Sequence, residues 1–219
     1  TWAAAGMLAA RAEAEPNEKA LLELNLKSQE WWPNFQKDLE SAAGMPIGYR
    51  DEGTMIVALD RDDDADLKFN YRLQANLGLN TEWLNGSEAR EKEAFLSPSI
   101  TSAIYSPLDH QVDNRALADA LRIAFIREGG ELKLYSEVEA IMTENGRICS
   151  VRSRGEEIPA HFVVLAAGAW SRKIHGIPKE ALPPVRPLKG QMLSLRMDPS
   201  KPLLKHVLWA PKGIYMVPR

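Results

Sequence analysis

With 219 residues, 45% of them hydrophobic, the chain can bury a sizeable core and has room for one domain or two small ones. Its formal charge of −3, with Lys and Arg scattered, carries no nucleic-acid footprint. No apolar run approaches the roughly 20 residues a membrane span needs, and the single cysteine, Cys149, excludes an internal disulfide framework and a thiolate zinc cluster.

In chain order, the first residue is Thr1, and no basic region precedes Trp2-Ala3-Ala4-Ala5-Gly6-Met7-Leu8, so this start reads as a cut and not as a signal peptide. From Asn17 to about Ala43 the pattern is helical, with an apolar stripe of Leu21, Leu22, Leu24, Leu26, Trp31, Trp32, Phe35 and Leu39 that Pro33 must kink or interrupt. Gly44 and Pro46 close it. Ile47–Tyr49 and Gly53–Leu59 read as strands around the turn Arg50-Asp51-Glu52. The acidic run Asp60–Asp66 lacks the Gly and Glu that an EF-hand loop requires at its sixth and twelfth places, so it reads as a solvated helix start. That helix reaches Leu77 and stops at Gly78. Asn85-Gly86-Ser87 matches a glycosylation sequon, and Ser87 opens a short helix. Ile100–Tyr105 is a predicted strand.

Asp113 can cap the next helix, whose predicted inner face is Leu117, Leu121, Ala124 and Phe125, and Gly129-Gly130 ends it. Glu131–Tyr135 alternates as a strand. Val138–Met142 and Ile148–Val151 flank Glu144-Asn145-Gly146, a strong hairpin signal. His161–Gly168 reads as a buried strand because its apolar run is continuous. Val185–Met197, His206–Trp209 and Gly213–Val217 read as further strands. Strands cluster before about Ser106 and after Pro183, with a helix–strand–hairpin–strand unit between. This predicts an α/β (α+β mixed) class with two interleaved domains.

The sequence has no G-x-S-x-G elbow, no H-E-x-x-H and no G-K-[ST] loop. The four histidines, His110, His161, His175 and His206, are not spaced as metal ligands and read as surface or packing residues, so no metal is expected. Its fourteen glycines nowhere form G-x-G-x-x-G. Two features remain. Ala5-Gly6-Met7, after Ala3-Ala4, would let backbone amides approach a flat ligand, or is an Ala-rich helix start. The end of Val163–Ser171 would bring main-chain N–H groups to a phosphate or ribose, or is an ordinary strand-to-helix turn.

In order, these pieces resemble the D-amino-acid oxidase superfamily of flavoproteins. Thr1–Leu8 is similar to the family loop beneath the flavin ring. Val112-Asp113-Asn114-Arg115-Ala116-Leu117 is similar to its V-D-P-x-x-L helix entry, with Asn114 where Pro is usual. Val163–Ser171 is similar to the strand ending A-A-G-A-W-S, Val185–Gln191 to P-V-R-P-x-x-G-Q, and Ile214–Arg219 to the Y-h-V-P-R strand below the substrate. Within the superfamily the nearest likeness is to the glycine oxidases of thiamine biosynthesis. Sarcosine oxidases, D-amino-acid dehydrogenases and a non-catalytic relative without cofactor stay open.

The resemblance implies non-covalent FAD held by the backbones of Thr1, Ala5, Gly6 and Met7 near the flavin, by Val138 at adenine, and by Ala167, Gly168 and Trp170 along pyrophosphate and ribose. It implies Tyr215 as a donor to the substrate carboxylate. A partial FAD-binding Rossmann-like domain would comprise 1–45 and 107–183, interleaved with a partial mixed or antiparallel-sheet substrate domain of 46–106 and 184–219. The implied reaction takes a small amino acid and O₂ to the imino acid and H₂O₂. The dinucleotide fingerprint and the arginine that anchors the carboxylate are expected outside this stretch, so the stretch alone is expected to bind FAD poorly and be inactive, and exposed edges to favour a homo-oligomer. A lone thiol fits a reducing compartment, and a cytoplasmic location is expected.

Overall fold

The computed structural model describes residues 3–198 and 200–219. The chain forms two compact units, Thr1–Gly130 with Met192–Arg219, and Glu131–Gln191.

In the first unit, strand β1 (Met7–Leu8) leads to helix α1 (Lys19–Ala43), which ends on Gly44 in the left-handed conformation at φ 68°. The predicted interruption at Pro33 is absent: α1 is continuous, and Trp32 and Leu39, on either side of the ring, pack into one core that carries the helix across the missing N–H. Only part of the predicted stripe is buried. Leu22 and Leu39 face inward, while Leu21, Leu24, Trp31 and Phe35 are exposed.

Ile47 is fully buried, yet 47–49 forms no strand; only Arg50 bridges Gln111. Strand β2 (Thr54–Ala58) follows, then α2 (Arg61–Asn76), whose N-cap Asp60 accepts from the Asp62 and Asp63 amides at 2.9 and 3.0 Å. Strand β3 (Glu82–Asn85) passes into the short helix α3 (Gly86–Lys92) through a capping box of Asn85 and Glu88. After β4 (Ser102–Ser106) and β5 (His110–Gln111), α4 (Asn114–Arg127) starts at Asp113, whose carboxylate accepts from the Arg115 and Ala116 amides.

The inward face of α4 differs from the predicted one. Ala120 and Ala124 are buried, Leu117 packs beside them, and Leu121 and Phe125 are exposed. Small residues at four-residue spacing let α4 approach α1 closely, around Leu39, Ala43, Ile47 and Val112.

The second unit is a three-stranded meander of β6 (Val138–Glu144), β7 (Arg147–Ser153) and β8 (Glu156–Pro159). Its first turn is the predicted Asn145-Gly146, both at positive φ (51° and 75°), as a two-residue hairpin with right-handed twist requires. Arg154-Gly155 repeats that geometry at 52° and 78° and adds β8, which the sequence reading missed.

Besides 47–49, three more predicted strands are not strands. Glu131–Tyr135 leaves Leu134 and Tyr135 exposed. His161–Gly168 forms no strand and its last residue opens a 3₁₀ turn, with Val163, Leu165 and Ala167 half-buried and Phe162 and Val164 about nine-tenths exposed. Val185–Met197 is likewise unpaired, with Leu188, Leu193 and Leu195 exposed. The physical reason is common to all three: among the described residues no strand lies alongside to take up their N–H and C=O groups, and an apolar run without a ladder partner is not a strand.

The remaining strands, β9 (Val207–Ala210) and β10 (Ile214–Met216), return to the first unit and complete a five-stranded sheet in the order β10-β9-β2-β4-β3. It is antiparallel except where β2 runs parallel to β9. Alternation sorts its side chains: Met55 and Val57 join Leu84, Ala103 and Leu208 in one core, while Ala58 and Ile104 meet Leu67 of α2 on the other face. The class is mixed α/β with several sheets, as predicted.

Candidate functional site

The stretch Ala5–Ala12 has no helix to stabilise it and is held instead by specific contacts. Gly6 sits at φ 83°, and a Cβ there would lie 2.0 Å from the Val112 carbonyl oxygen, whose own residue donates its amide to the Gly6 carbonyl at 2.8 Å. Only glycine allows that approach. Met7 and Leu8 pair with Gln111 and His110.

Further along, the fully buried carboxylate of Asp109 accepts from the Arg11 amide at 3.1 Å and the Ala12 amide at 2.7 Å, with the Arg11 guanidinium 3.6 Å away. Gln29 of α1 donates to the same carboxylate at 3.2 Å. Near the start of this stretch, Arg219 donates to the Ala4 and Ala5 carbonyls at 3.2 and 3.0 Å. The sequence reading missed Asp109 as an anchor. Its signal, an isolated acid between two predicted elements, has no distinguishing local pattern.

Of the predicted residues in this unit, Ala5 is buried, and Gly6 and Met7 are half-buried. Thr1 lies outside the described residues. Tyr215, half-buried in β10, stands opposite Trp209 of β9, and its hydroxyl donates to Met192 Sδ at 3.3 Å. Trp209 borders a cleft of about 500 Å³ that also touches Glu13, Glu15, Glu18 and Gln74.

A second acid lies deep in this unit. Glu93 and His206 are almost fully buried, and the Glu93 carboxylate accepts from the Lys205 amide at 2.7 Å, the His206 amide at 2.5 Å and His206 Nδ1 at 2.8 Å. Burial pushes the Glu93 carboxyl up, but those hydrogen bonds and the imidazole charge together outweigh it and leave its pKa below the usual value. The pair fastens the start of β9 to the end of α3.

In the second unit, Val138, Ala167 and Trp170 border one cleft of about 320 Å³, together with Ile141, Val151 and Val163. Gly168 opens a 3₁₀ turn (Gly168–Lys173) at φ 52°, with open space where a Cβ would stand, and Ser171 Oγ donates to its carbonyl at 2.8 Å. Trp170 remains about two-thirds exposed. His175 exchanges backbone hydrogen bonds with Glu139 and Ile141, tying the segment after the turn to the edge of β6. Among the described residues no group of acids, histidines and cysteine is arranged to hold a metal, and no helix is long and apolar enough to cross a membrane.

Comparison with known proteins gives these features a setting. The chain is 34% identical to the bifunctional protein ThiO/ThiG of Trichormus variabilis over 99% of its length, which is 32% of that protein. It is 29% identical to the glycine oxidase of Pseudomonas putida, covering 88% of this chain and 50% of that one. Among solved structures, glycine oxidase from Geobacillus kaustophilus superposes with a TM-score of 0.84 at 30% identity, over 100% of this chain and 58% of that one. The chain thus spans about a third of the ThiO/ThiG relative and about half of the glycine oxidases. The family model for the DAO group, FAD dependent oxidoreductase, matches residues 1–219, and the chain belongs to that family.

Proposed function

We propose that the protein carrying this chain oxidises glycine, or another small primary or secondary amine or D-amino acid, to the imino acid while O₂ becomes H₂O₂. The observation that carries this reading is the likeness to glycine oxidase over the whole chain, in sequence and in fold. When bound, FAD supplies the two-electron acceptor: the amine's α-carbon gives up a hydride, its nitrogen a proton, and O₂ takes both electrons and both protons.

The residues present fit such a group. In the second unit the cleft beside Val138, Ala167 and Trp170 is apolar, has the size of small-ligand sites, and opens next to a glycine whose missing Cβ leaves the backbone bare. These residues would hold the adenosine and pyrophosphate, with Gly168 and Ala167 offering main-chain groups. In the first unit, Ala5, Gly6 and Met7 would face the flavin from a stretch that Asp109 and Arg219 hold in place, and Thr1 would precede it. Tyr215 would donate its hydroxyl to the substrate carboxylate, exchanging its weak contact with Met192 for a charge-assisted bond.

The proposed grouping of 46–106 and 184–219 as substrate domain is supported by the five-stranded sheet, which draws its strands from those segments alone. Packing of α1 against α4, and pairing of β1 with β5, supports grouping 1–45 with 107–127 in the proposed FAD-binding domain. A cytoplasmic setting, with an exposed reduced Cys149, belongs to the same proposal.

Peroxide yield from the FAD-loaded protein with glycine, sarcosine and D-alanine tests the activity. Peroxide in step with amine consumption is the expected outcome. Amine oxidation that needs a quinone and makes little peroxide would replace the oxidase reading with a dehydrogenase.

A further inference from the structure

Arg219 follows the strand of Tyr215 and reaches a different part of the same unit. Half-buried Val217 and buried Pro218, whose ring fixes φ near about −65°, lead the chain there. Its side chain is only 32% exposed, and one guanidinium nitrogen donates to the Ala4 carbonyl at 3.2 Å, the Ala5 carbonyl at 3.0 Å and the Asn114 side-chain oxygen. The other terminal nitrogen lies 3.9 Å from the Asp113 carboxylate. One side chain thus ties the strand of Tyr215 to the start of α4 and to the stretch around Gly6.

Peptide geometry sets what this does to the stretch. In a trans peptide the C=O and the following N–H point in opposite directions, and no peptide bond among the described residues is cis. With the Ala4 and Ala5 carbonyls both turned to one nitrogen of Arg219, the Ala5 and Gly6 amides point away from it. Among the described residues neither amide has an acceptor, although Ala5 is buried and Gly6 half-buried. The stretch has little freedom to turn and find one, because the Gly6 carbonyl is held by the Val112 amide at 2.8 Å. Buried main-chain N–H groups are nearly always paired. Two adjacent donors left over on the side away from Arg219 therefore suit an acceptor from outside the chain.

We infer that Arg219 is a positioning residue for the cofactor: by holding the Ala4 and Ala5 carbonyls it aims the Ala5 and Gly6 amides at acceptor atoms of the flavin ring. The inference rests on the proposed placement of this stretch beside the flavin. A ring that gains electron density on reduction draws such donors more strongly, so they favour reduced over oxidised flavin.

Amide exchange on the protein carrying this chain, without and with FAD, tests the donors. The Ala5 and Gly6 amides are expected to slow at least about tenfold on FAD loading. Equal rates in the two forms overturn the inference. Arg219→Met keeps an unbranched side chain and releases both carbonyls. It is expected to lower the midpoint potential of the bound flavin by about 30 mV, a tenfold loss of preference for the reduced form. Arg219→Lys, which keeps the charge and donors, should lie between the two. A side chain that served stability alone would lower FAD occupancy and leave the potential of the flavin still bound unchanged, and that result overturns the inference. The exchange comparison uses unaltered protein, so it decides even where Arg219→Met fails to fold. Glycine turnover measured alongside separates the two readings. Turnover with unprotected amides removes the role of Arg219 and leaves the oxidase, whereas protected amides and a lowered potential without turnover of any amine remove the oxidase and leave Arg219.

Discussion

Asp109 shows how one buried charge can organise a loop. Its carboxylate collects two consecutive backbone amides, a guanidinium and a side-chain amide, so its negative charge is compensated where water is excluded. Asp109→Asn keeps the shape and removes the charge; we expect a loss of about 2–3 kcal/mol in urea unfolding. A loss below half of that would show that the amides find other partners. Gly6→Ala meets both a positive φ and a carbonyl oxygen 2.0 Å from the new Cβ, and should lower stability by about 2 kcal/mol or more. For Tyr215→Phe, removing the hydroxyl without disturbing β10 should raise KM for glycine about tenfold, the worth of one charge-assisted hydrogen bond.

The Glu93–His206 pair sets an acid limit. Because the folded pKa of Glu93 is depressed below its ordinary 4.5, the carboxylate contributes stability that is fully present above that value. The contribution is lost as pH falls from 4.5 through the lower folded pKa. Glu93→Gln should flatten this part of the stability-versus-pH curve, and an unchanged acid slope in the variant would refute the assignment.

At the scale of elements, amide exchange should divide the chain sharply. The amides of β2 and β4, paired on both sides in the five-stranded sheet, should exchange orders of magnitude more slowly than those of 162–166, which have no ladder. Protection of 162–166 matching that of β4 would contradict a segment without ladder partners. This contrast also marks what the sequence made legible. Helices with a strong local start, such as α2 on Asp60 and α4 on Asp113, and the Asn145-Gly146 turn were readable because their determinants lie within a few residues. Whether an apolar run becomes a strand is decided by a distant neighbour, and Phe162–Ala166 carries no local mark of that. The rotated face of α4 has the same origin: Ala120 and Ala124 are buried because α1 comes close, a tertiary fact that weights of single side chains do not contain. Gly168 and Tyr215 are proposed site residues that a motif in the sequence can single out, whereas Asp109 matters only through partners far along the chain.

At the scale of the whole molecule, the family assignment rests on the full chain, and the interleaving of segments explains why its parts are hard to read singly. Strand β9, with β10 on its other side, joins β2 although about 150 residues separate the two in sequence. The stretch of residues 1–219, prepared by itself, is expected to bind FAD weakly, since the segment leading into Ala167 and Gly168 has one bare apolar face and no ladder to hold it. Near-full flavin occupancy by absorbance would contradict that expectation. The most direct measurement of the central claim is anaerobic addition of glycine to the FAD-loaded protein, followed by readmission of air. The account predicts bleaching of the flavin band by glycine, recovery with O₂, and peroxide in proportion to flavin. A fully loaded flavin that glycine, sarcosine and D-alanine all leave unbleached would contradict it.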